Sequence, residues 1–228
     1  MINDHSSSSL VFLQIHLGGD RNFCYLIGDV ASGQAVVVDP GFDPDGFHAI
    51  ATEKQLKISN ILITHEHNDH MEQAAALARS SGATIHAGAV DKVAEALELT
   101  DGQVFKLGQH TVTALATPGH SPGHFCFLSE GRLITGDLLF CGKVGGTGSY
   151  FPGSSPEQQF ASLEKMMQLP DATLVFPGHD YYGGEGSMPH STIGYEKKHN
   201  PFLTVNNFEA FCHLKDNWAV YKKEHGVR

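Results

Sequence analysis

The chain predicts an α/β fold, and two features carry that expectation. Short apolar runs alternate along its length with stretches of helical character. Several of the runs end in a turn that holds a Gly and then a His or Asp, so the reactive side chains collect where strands stop. Scaffolds of this kind present their chemistry on the loops at one end of a sheet.

Residues 10–16, 23–28 and 35–39 alternate or run apolar and read as the first strands, a meander ended by the turn Asp39-Pro40-Gly41. Residues 43–54 have helical character and lead into a strand at 59–64. Met71 to Arg79, with Ala74, Ala75, Ala76 and Leu77, is expected as a helix. A strand at 83–87 and a short helix near 90–98 follow, then two strands around Gly108-Gln109. Strands at 124–129 and 132–136 and a helix from Pro156 to Leu169 come next. Asn200-Pro201 marks a boundary. Beyond it Phe208, Phe211, Leu214, Trp218 and Tyr221 recur at helical spacing. They predict one amphipathic helix, about 205–225, docked on a single domain spanning 1–228, and their stripe offers a face for a homodimer.

A chain of 228 residues is long enough for one sizeable core. Its formal charge of −10 argues against nucleic acid as a partner, since phosphate binding needs a basic surface. No apolar run approaches the ~20 residues of a membrane span. The polar start, Met1 to His5 and then four serines, has neither the basic nor the apolar region of a secretory signal. Cys24, Cys126, Cys141 and Cys212 lack CxxC spacing and read as reduced thiols, so the expected location is cytoplasmic.

The densest chemistry is Thr64-His65-Glu66-His67-Asn68-Asp69-His70, directly after Ile61-Leu62-Ile63. Imidazole and carboxylate together suit Zn, Fe or Mn rather than Ca or Mg. His65 and His67 alternate in the strand sense, while Asp69 and His70 follow the turn and can address a second point. A helix start capped by Asn68 or Asp69 would account for one residue and leave three histidines without a reason. Three later pieces repeat the pattern: Thr117-Pro118-Gly119-His120, Thr135-Gly136-Asp137 and Pro177-Gly178-His179-Asp180, each after an apolar run. Any one of them also reads as a Gly turn with a capping Asp or a surface His; together they converge on one end of one sheet. His48, His86, His110 and His213, outside these motifs, read as surface or satisfied core residues.

His65-x-His67-x-Asp69-His70, followed in order by His120, Asp137 and His179, resembles the seven-ligand pattern of the metallo-β-lactamase superfamily. The resemblance implies an αββα sandwich, two mixed β-sheets face to face with helices on both outer faces. It further implies two divalent metal ions, Zn or Fe/Mn. His65, His67 and His120 would hold the first, Asp69, His70 and His179 the second, and Asp137 would bridge them. Two such ions, roughly 3.5–4 Å apart, acidify water and take a developing oxyanion. Asp69 would also orient the nucleophile. Esters, thioesters, lactams, lactones and phosphoesters are all open to a site of this kind.

Thr117 to His124 and Thr135 to Phe140 look like glyoxalase II, the hydroxyacylglutathione hydrolases. Gly178 to Tyr181, Ser191-Thr192-Ile193 and Glu196-Lys197-Lys198 up to Asn200-Pro201 look like the glyoxalase II-like group that includes the persulfide dioxygenases. Both imply a small-molecule partner, a glutathione conjugate: an acyl thioester or a persulfide. The dioxygenase reading uses a single Fe(II) on His65, His120 and Asp137. His124 reads as structural rather than as a ligand in either case. The chain departs from both groups. Gly145-Gly146-Thr147-Gly148-Ser149 stands where the dioxygenases carry Gly-Arg-x-Asp-Phe, and one helix replaces the C-terminal domain of glyoxalase II. Lys143 and Tyr150, or the pair Lys197 and Lys198, are the candidates for substrate contact. The loop 141–148 lacks the order of a P-loop and reads as a substrate-contacting loop or a plain connector. A second Gly-rich stretch, Tyr181 to Gly186, is expected at the same mouth. The expected function is a thioester hydrolase of glyoxalase II type. The competing expectations are the Fe(II) persulfide dioxygenase and a metal-binding scaffold without turnover.

Overall fold

The computed structural model describes residues 1–16, 21–181 and 188–226. β1 (Ile2–Asp4), β2 (Leu10–Ile15), β3 (Cys24–Asp29), β4 (Gln34–Val38), β5 (Lys57–Leu62), β6 (Thr84–Gly88) and β7 (Leu97–Leu99) lie side by side in that order. Pairing is antiparallel from β1 to β4 and parallel from β4 to β7. The parallel steps need crossovers: α1 (Pro44–Glu53) supplies one, and α2 (Asn68–Met71) with α3 (Ala74–Ser81) supplies the next.

A second sheet runs in the spatial order β15 (Ser191–Thr192), β14 (Leu174–Pro177), β11 (Arg132–Gly136), β10 (Phe125–Ser129), β9 (His110–Ala116) and β8 (Val104–Leu107). Its one parallel pair, β11 with β14, is bridged by α4 (Pro156–Met166). β12 (Leu139–Phe140) and β13 (Lys143–Val144) form a small separate hairpin. α5 (Ile193–His199), α6 (Phe208–Asp216) and α7 (Trp218–His225) complete the described chain.

The period-two alternation of strands divides the apolar residues into three layers. Val11, Leu13 and Ile15 face outward from the first sheet and pack with Phe47 of α1 and Leu77 of α3. Leu10 and Phe12, their neighbours on β2, face inward and meet Tyr25, Phe127, Ile134 and Phe176 between the sheets. Cys126, Leu133 and Val175 point out of the second sheet toward Leu163, Met166, Phe202 and Phe211. The result is the αββα sandwich, and every residue of β3 is buried because both faces of its sheet are covered. Phe12 and Phe176 meet across the inner layer with ring centroids 4.7 Å apart, a pair worth ~0.5–1.5 kcal/mol beyond area burial.

Local chemistry starts the helices where the sequence indicates. Ser155 caps α4 by accepting from the Gln158 N–H, with Pro156 next in the chain. Asp43 caps α1 in the same way through Gly46. Three expectations fail. Residues 90–98 form no helix: the Asp91 carboxylate is drawn to the Gly123 N–H at 2.9 Å, and Leu97–Leu99 joins the sheet as β7. The helix expected over Met71–Arg79 is broken, because the Gln73 N–H turns to the Pro40 carbonyl at 3.1 Å between α2 and α3. The single C-terminal helix is two, α6 and α7. Asn217 divides them, and its Nδ2 donates back to the His213 carbonyl at 2.8 Å, competing with helix continuation. Among the described residues no helix is long and apolar enough to cross a membrane.

Candidate metal centre

Strand ends build the site. β5 runs into Thr64 and His65, β9 into the loop carrying His120, β11 into Asp137 and β14 into His179. All seven expected ligands come together at this edge, in two groups whose ligand atoms each lie within 4.8 Å of one another. His65, His67, His120 and Asp137 form one; Asp69, His70 and His179 form the other. In the first, His67 Nδ1 is 2.9 Å from His65 Nε2 and 3.1 Å from His120 Nε2. In the second, His70 Nε2 and His179 Nε2 are 3.2 Å apart, and Asp69 Oδ2 is 3.4 Å from His179 Nε2. Asp137 stands between them. Its Oδ2 is 3.6 Å from His120 Nε2, and its Oδ1 is 3.4 Å from both His70 Nε2 and His179 Nε2.

The hydrogen-bond network assigns the tautomers. Thr64 Oγ1 donates to Asp39 Oδ2 at 2.6 Å, so it accepts from His65 Nδ1 at 3.0 Å. His120 Nδ1 donates to the Gly146 carbonyl at 2.7 Å, and His70 Nδ1 to Asp39 Oδ2 at 2.9 Å. Each of these rings therefore presents Nε2 to the centre, and on His65 and His120, which burial keeps neutral, it is a bare lone pair. Lone pairs converging at such distances repel unless cations lie among them, so the donor set fits divalent metal ions. Outward N–H groups held by a carboxylate or carbonyl are also the usual support of ligating imidazoles.

Charge divides the two groups. Burial pushes His65 well below the ordinary histidine value, lowers His67, and takes His120 down to about 4. These three are neutral, as ligands must be. Burial also opposes protonation of His70, but Asp137, the Asp39 hydrogen bond and Asp69 overcome it and raise the ring to about 9. His179 is raised too, its burial outweighed by Asp137. Burial alone would lift Asp137, yet His179 and His70 hold it well below the carboxylate range. Asp69 is likewise lowered, by His70 and by the Asn22 amide against its own desolvation.

Two supporting residues escape the sequence reading. Asp39, read only as part of a turn, is buried with φ 54° and accepts from Thr64 N, Thr64 Oγ1 and His70 Nδ1. Its signal was present, since it closes an apolar run as the ligands do. Asn22 Nδ2 donates to Asp69 Oδ2 at 2.9 Å, and nothing in its neighbourhood of the sequence announces that. Gly178 is required by space: a Cβ there would lie 2.5 Å from Asp137 Oδ1. His124 is buried and depressed to about 3 by desolvation, bonds Thr117 Oγ1 through Nδ1, and belongs to neither group.

The substrate candidates separate. Tyr150 is 92% exposed and, with Phe151 and Tyr181, rims a cavity of ≈ 390 Å³ over His67, Asp69, Asp137 and His179. Lys143 lines an adjoining cavity of ≈ 460 Å³ with Phe140, Phe151, Phe202 and Trp218, its Nζ 4.1 Å from the Tyr181 ring centroid. Lys197 pairs instead with Asp171, and neither it nor Lys198 lines these cavities. Of the second Gly-rich stretch only Tyr181 is placed; Tyr182 to Gly186 lie outside the described residues.

The model of the metallo-β-lactamase superfamily matches residues 17–179 of this chain. The "Probable polyketide biosynthesis zinc-dependent hydrolase BaeB" of Bacillus velezensis is 29% identical over 202 residues, covering 86% of this chain and 87% of that protein. A hydroxyacylglutathione hydrolase of Cereibacter sphaeroides is 36% identical over 166 residues, which is 70% of this chain. The match spans only 63% of that enzyme, less than two thirds of its length. Among solved structures, ETHE1 from Myxococcus xanthus superposes with a TM-score of 0.83 at 32% identity, covering 91% of this chain and 90% of that one.

Proposed function

Because this chain belongs to the metallo-β-lactamase superfamily, we propose that it is a metal-dependent hydrolase of glyoxalase II type that cleaves a thioester. The observation that carries the reading is Asp137, with one carboxylate oxygen toward each ligand group. A shared carboxylate between two sets of imidazoles suits a pair of divalent ions, Zn or Fe/Mn. His65, His67 and His120 would hold one ion; Asp69, His70 and His179 would hold the other. Bound there, such ions supply an acidified water and a Lewis acid for a carbonyl oxygen.

The remaining work falls to the chain's own residues. Asp69 is ionised at neutral pH, is fixed by Asn22 through Oδ2, and keeps its side chain 42% exposed on the wall of the cavity. It orients the attacking water and accepts its proton. Phe151 and Tyr181 flank the ligand histidines and keep bulk water from the thioester. Lys143, in the adjoining cavity, takes a negative charge on the thiol half, as a glutathione conjugate would bring. Tyr150 closes over the acyl half.

A mononuclear Fe(II) persulfide dioxygenase is the second reading. It is favoured by the Ser191-to-Pro201 segment and by a 2-His-1-carboxylate set already complete in His65, His120 and Asp137. It leaves His67 Nδ1, about 3 Å from both of those histidines, without a task. The two readings part on one experiment. Zinc-loaded protein is expected to release thiol from S-lactoylglutathione, and anaerobically prepared Fe(II) protein to take up no oxygen with glutathione persulfide. Rapid uptake that disappears in His120→Ala would replace the hydrolase with the dioxygenase.

A further inference from the structure

The loop after β13 backs one of the candidate ligands; its far end is tied through Gly148 to Ser154 and Phe151, while the Gly145–Gly146 half has little of its own to hold it. Gly146 supplies the carbonyl that fixes His120 Nδ1, and a Cβ on Gly145 would lie 1.7 Å from the Asp137 carbonyl oxygen. The loop therefore rests directly on two ligand residues. It consists of glycines and one threonine, residues 145–148, with no side chain larger than Thr147 to anchor it. Its backbone tie to the hairpin, Gly145 N to the Leu138 carbonyl, is long at 3.3 Å. Two consecutive glycines have the widest conformational freedom of any dipeptide, so their carbonyls point where outside donors make them point.

Those donors come from two helices. Gln159 on α4, fully buried, gives its Nε2 proton to the Gly145 carbonyl at 3.0 Å. Lys215 on α6 gives Nζ protons to the same carbonyl at 2.8 Å and to Gln159 Oε1 at 2.6 Å. Among the described residues Lys215 has no carboxylate within ion-pair distance. Taking an ammonium out of water without a counter-ion is costly, and burial lowers Lys215 to about 8. A methionine would fill the same space between α6 and the core at less cost. What methionine lacks is a charged donor, which makes a shorter and stronger bond to a carbonyl than a neutral one does.

We propose that Lys215 is a positioning residue for the first ligand group: with Gln159 it fixes the Gly145–Gly146 backbone against which His120 is oriented. Helix α6 thus takes part in the metal site without touching its candidate ligands, while Lys215 also lines the cavity of Lys143. The inference rests on the reading of His65, His67, His120 and Asp137 as a metal site, and on nothing about the substrate.

The test uses the full chain carrying His179→Ala, which leaves the first group alone to bind. Zinc affinity is measured by chelator competition, the d–d bands of the cobalt-substituted protein are recorded, and each variant is melted. Lys215→Met is expected to bind zinc on the order of tenfold more weakly, with shifted cobalt bands. Lys215→Gln, which keeps a neutral donor, should recover most of the loss. Leu214→Ala loosens the packing of α6 against the outer core without touching the loop or the Lys215 ammonium; it should melt lower and bind normally. Gln159→Leu carries the test independently if Lys215→Met does not fold. Wild-type affinity and bands in Lys215→Met, or in Gln159→Leu, would overturn the proposal. So would a loss in Leu214→Ala equal to that in Lys215→Met. Absence of zinc binding in the parent would sink the metal reading itself, an outcome distinct from these.

Discussion

Asp39 is where the two ligand groups meet outside the centre. It reaches His70 directly and His65 through Thr64 Oγ1, so one carboxylate orients a ring in each group. Asp39→Asn is therefore expected to weaken zinc binding at both sites, by about 10–100-fold where the contact is direct. Thr64→Val, which breaks only the branch to His65, should weaken the first site and spare the second. Stepwise calorimetric titration of metal-free protein separates the two results; equal losses in both variants would mean the fork does not exist. The candidate ligands were legible because His65, His120, Asp137 and His179 each follow an apolar run, three of them directly after a glycine, and His67, Asp69 and His70 crowd behind the first, a local pattern of residues. Asn22 carried no such mark, and the end of an apolar run that marks Asp39 does not name its partner: His70 and Asp69 lie 31 and 47 residues from Asp39 and Asn22. Only the folded chain brings those pairs together.

Among the elements, α4 bears most directly on the site. Its Ser162 hydroxyl donates to the Pro118 carbonyl at 2.7 Å, its cap Ser155 gives an N–H to the Gly119 carbonyl at 2.8 Å, and Gln159 holds the opposite loop. The helix thus grips His120 from both sides. Loss of the side-chain cap in Ser155→Ala should cost about 1 kcal/mol in urea unfolding, since Pro156 still favours the helix start. A destabilisation near zero would show that the backbone contact to Gly119 suffices. This helix and its start at Pro156 were readable in the sequence. The breaks after Met71 and at Asn217 were not. In each, one hydrogen bond defeats a favourable periodicity: Gln73 to the Pro40 carbonyl, and Asn217 to the His213 carbonyl. Neither bond leaves a trace in the spacing of apolar residues.

The metal-free molecule should respond to pH on both sides of neutrality. His70, raised from 6.5 to about 9, adds stability that is fully present below pH 6.5 and lost as pH rises through 9. His120 and His124 are depressed from 6.5 to about 4 and about 3, so the unfolded chain binds their protons first and stability falls as pH drops below 6.5. Thermal melts of stripped protein should peak near pH 6.5. Zinc should remove the alkaline decline, because a metal on His70 Nε2 replaces the proton that would titrate there. A stripped protein whose melting temperature is flat from pH 6.5 to 9 would contradict the assignment of His70. At this scale the sequence foretold an α/β chain, and its resemblance supplied the facing sheets. It did not show that β14 would enter between β15 and β11, since that order depends on Phe176 finding Phe12 and Tyr25 in the inner layer.

That insertion of β14 beside β11 gives the centre a history in time as well as a place in space. A chain leaving the ribosome has made His65, His67, His120 and Asp137 before the strand that delivers His179 exists, and Lys215 emerges later still. One ligand set is complete at residue 137 and the other only at residue 179. The direction of synthesis therefore imposes an order on ripening: the set that needs no strand from the last quarter of the chain is finished first, and its partner waits for the seam between β11 and β14 to close.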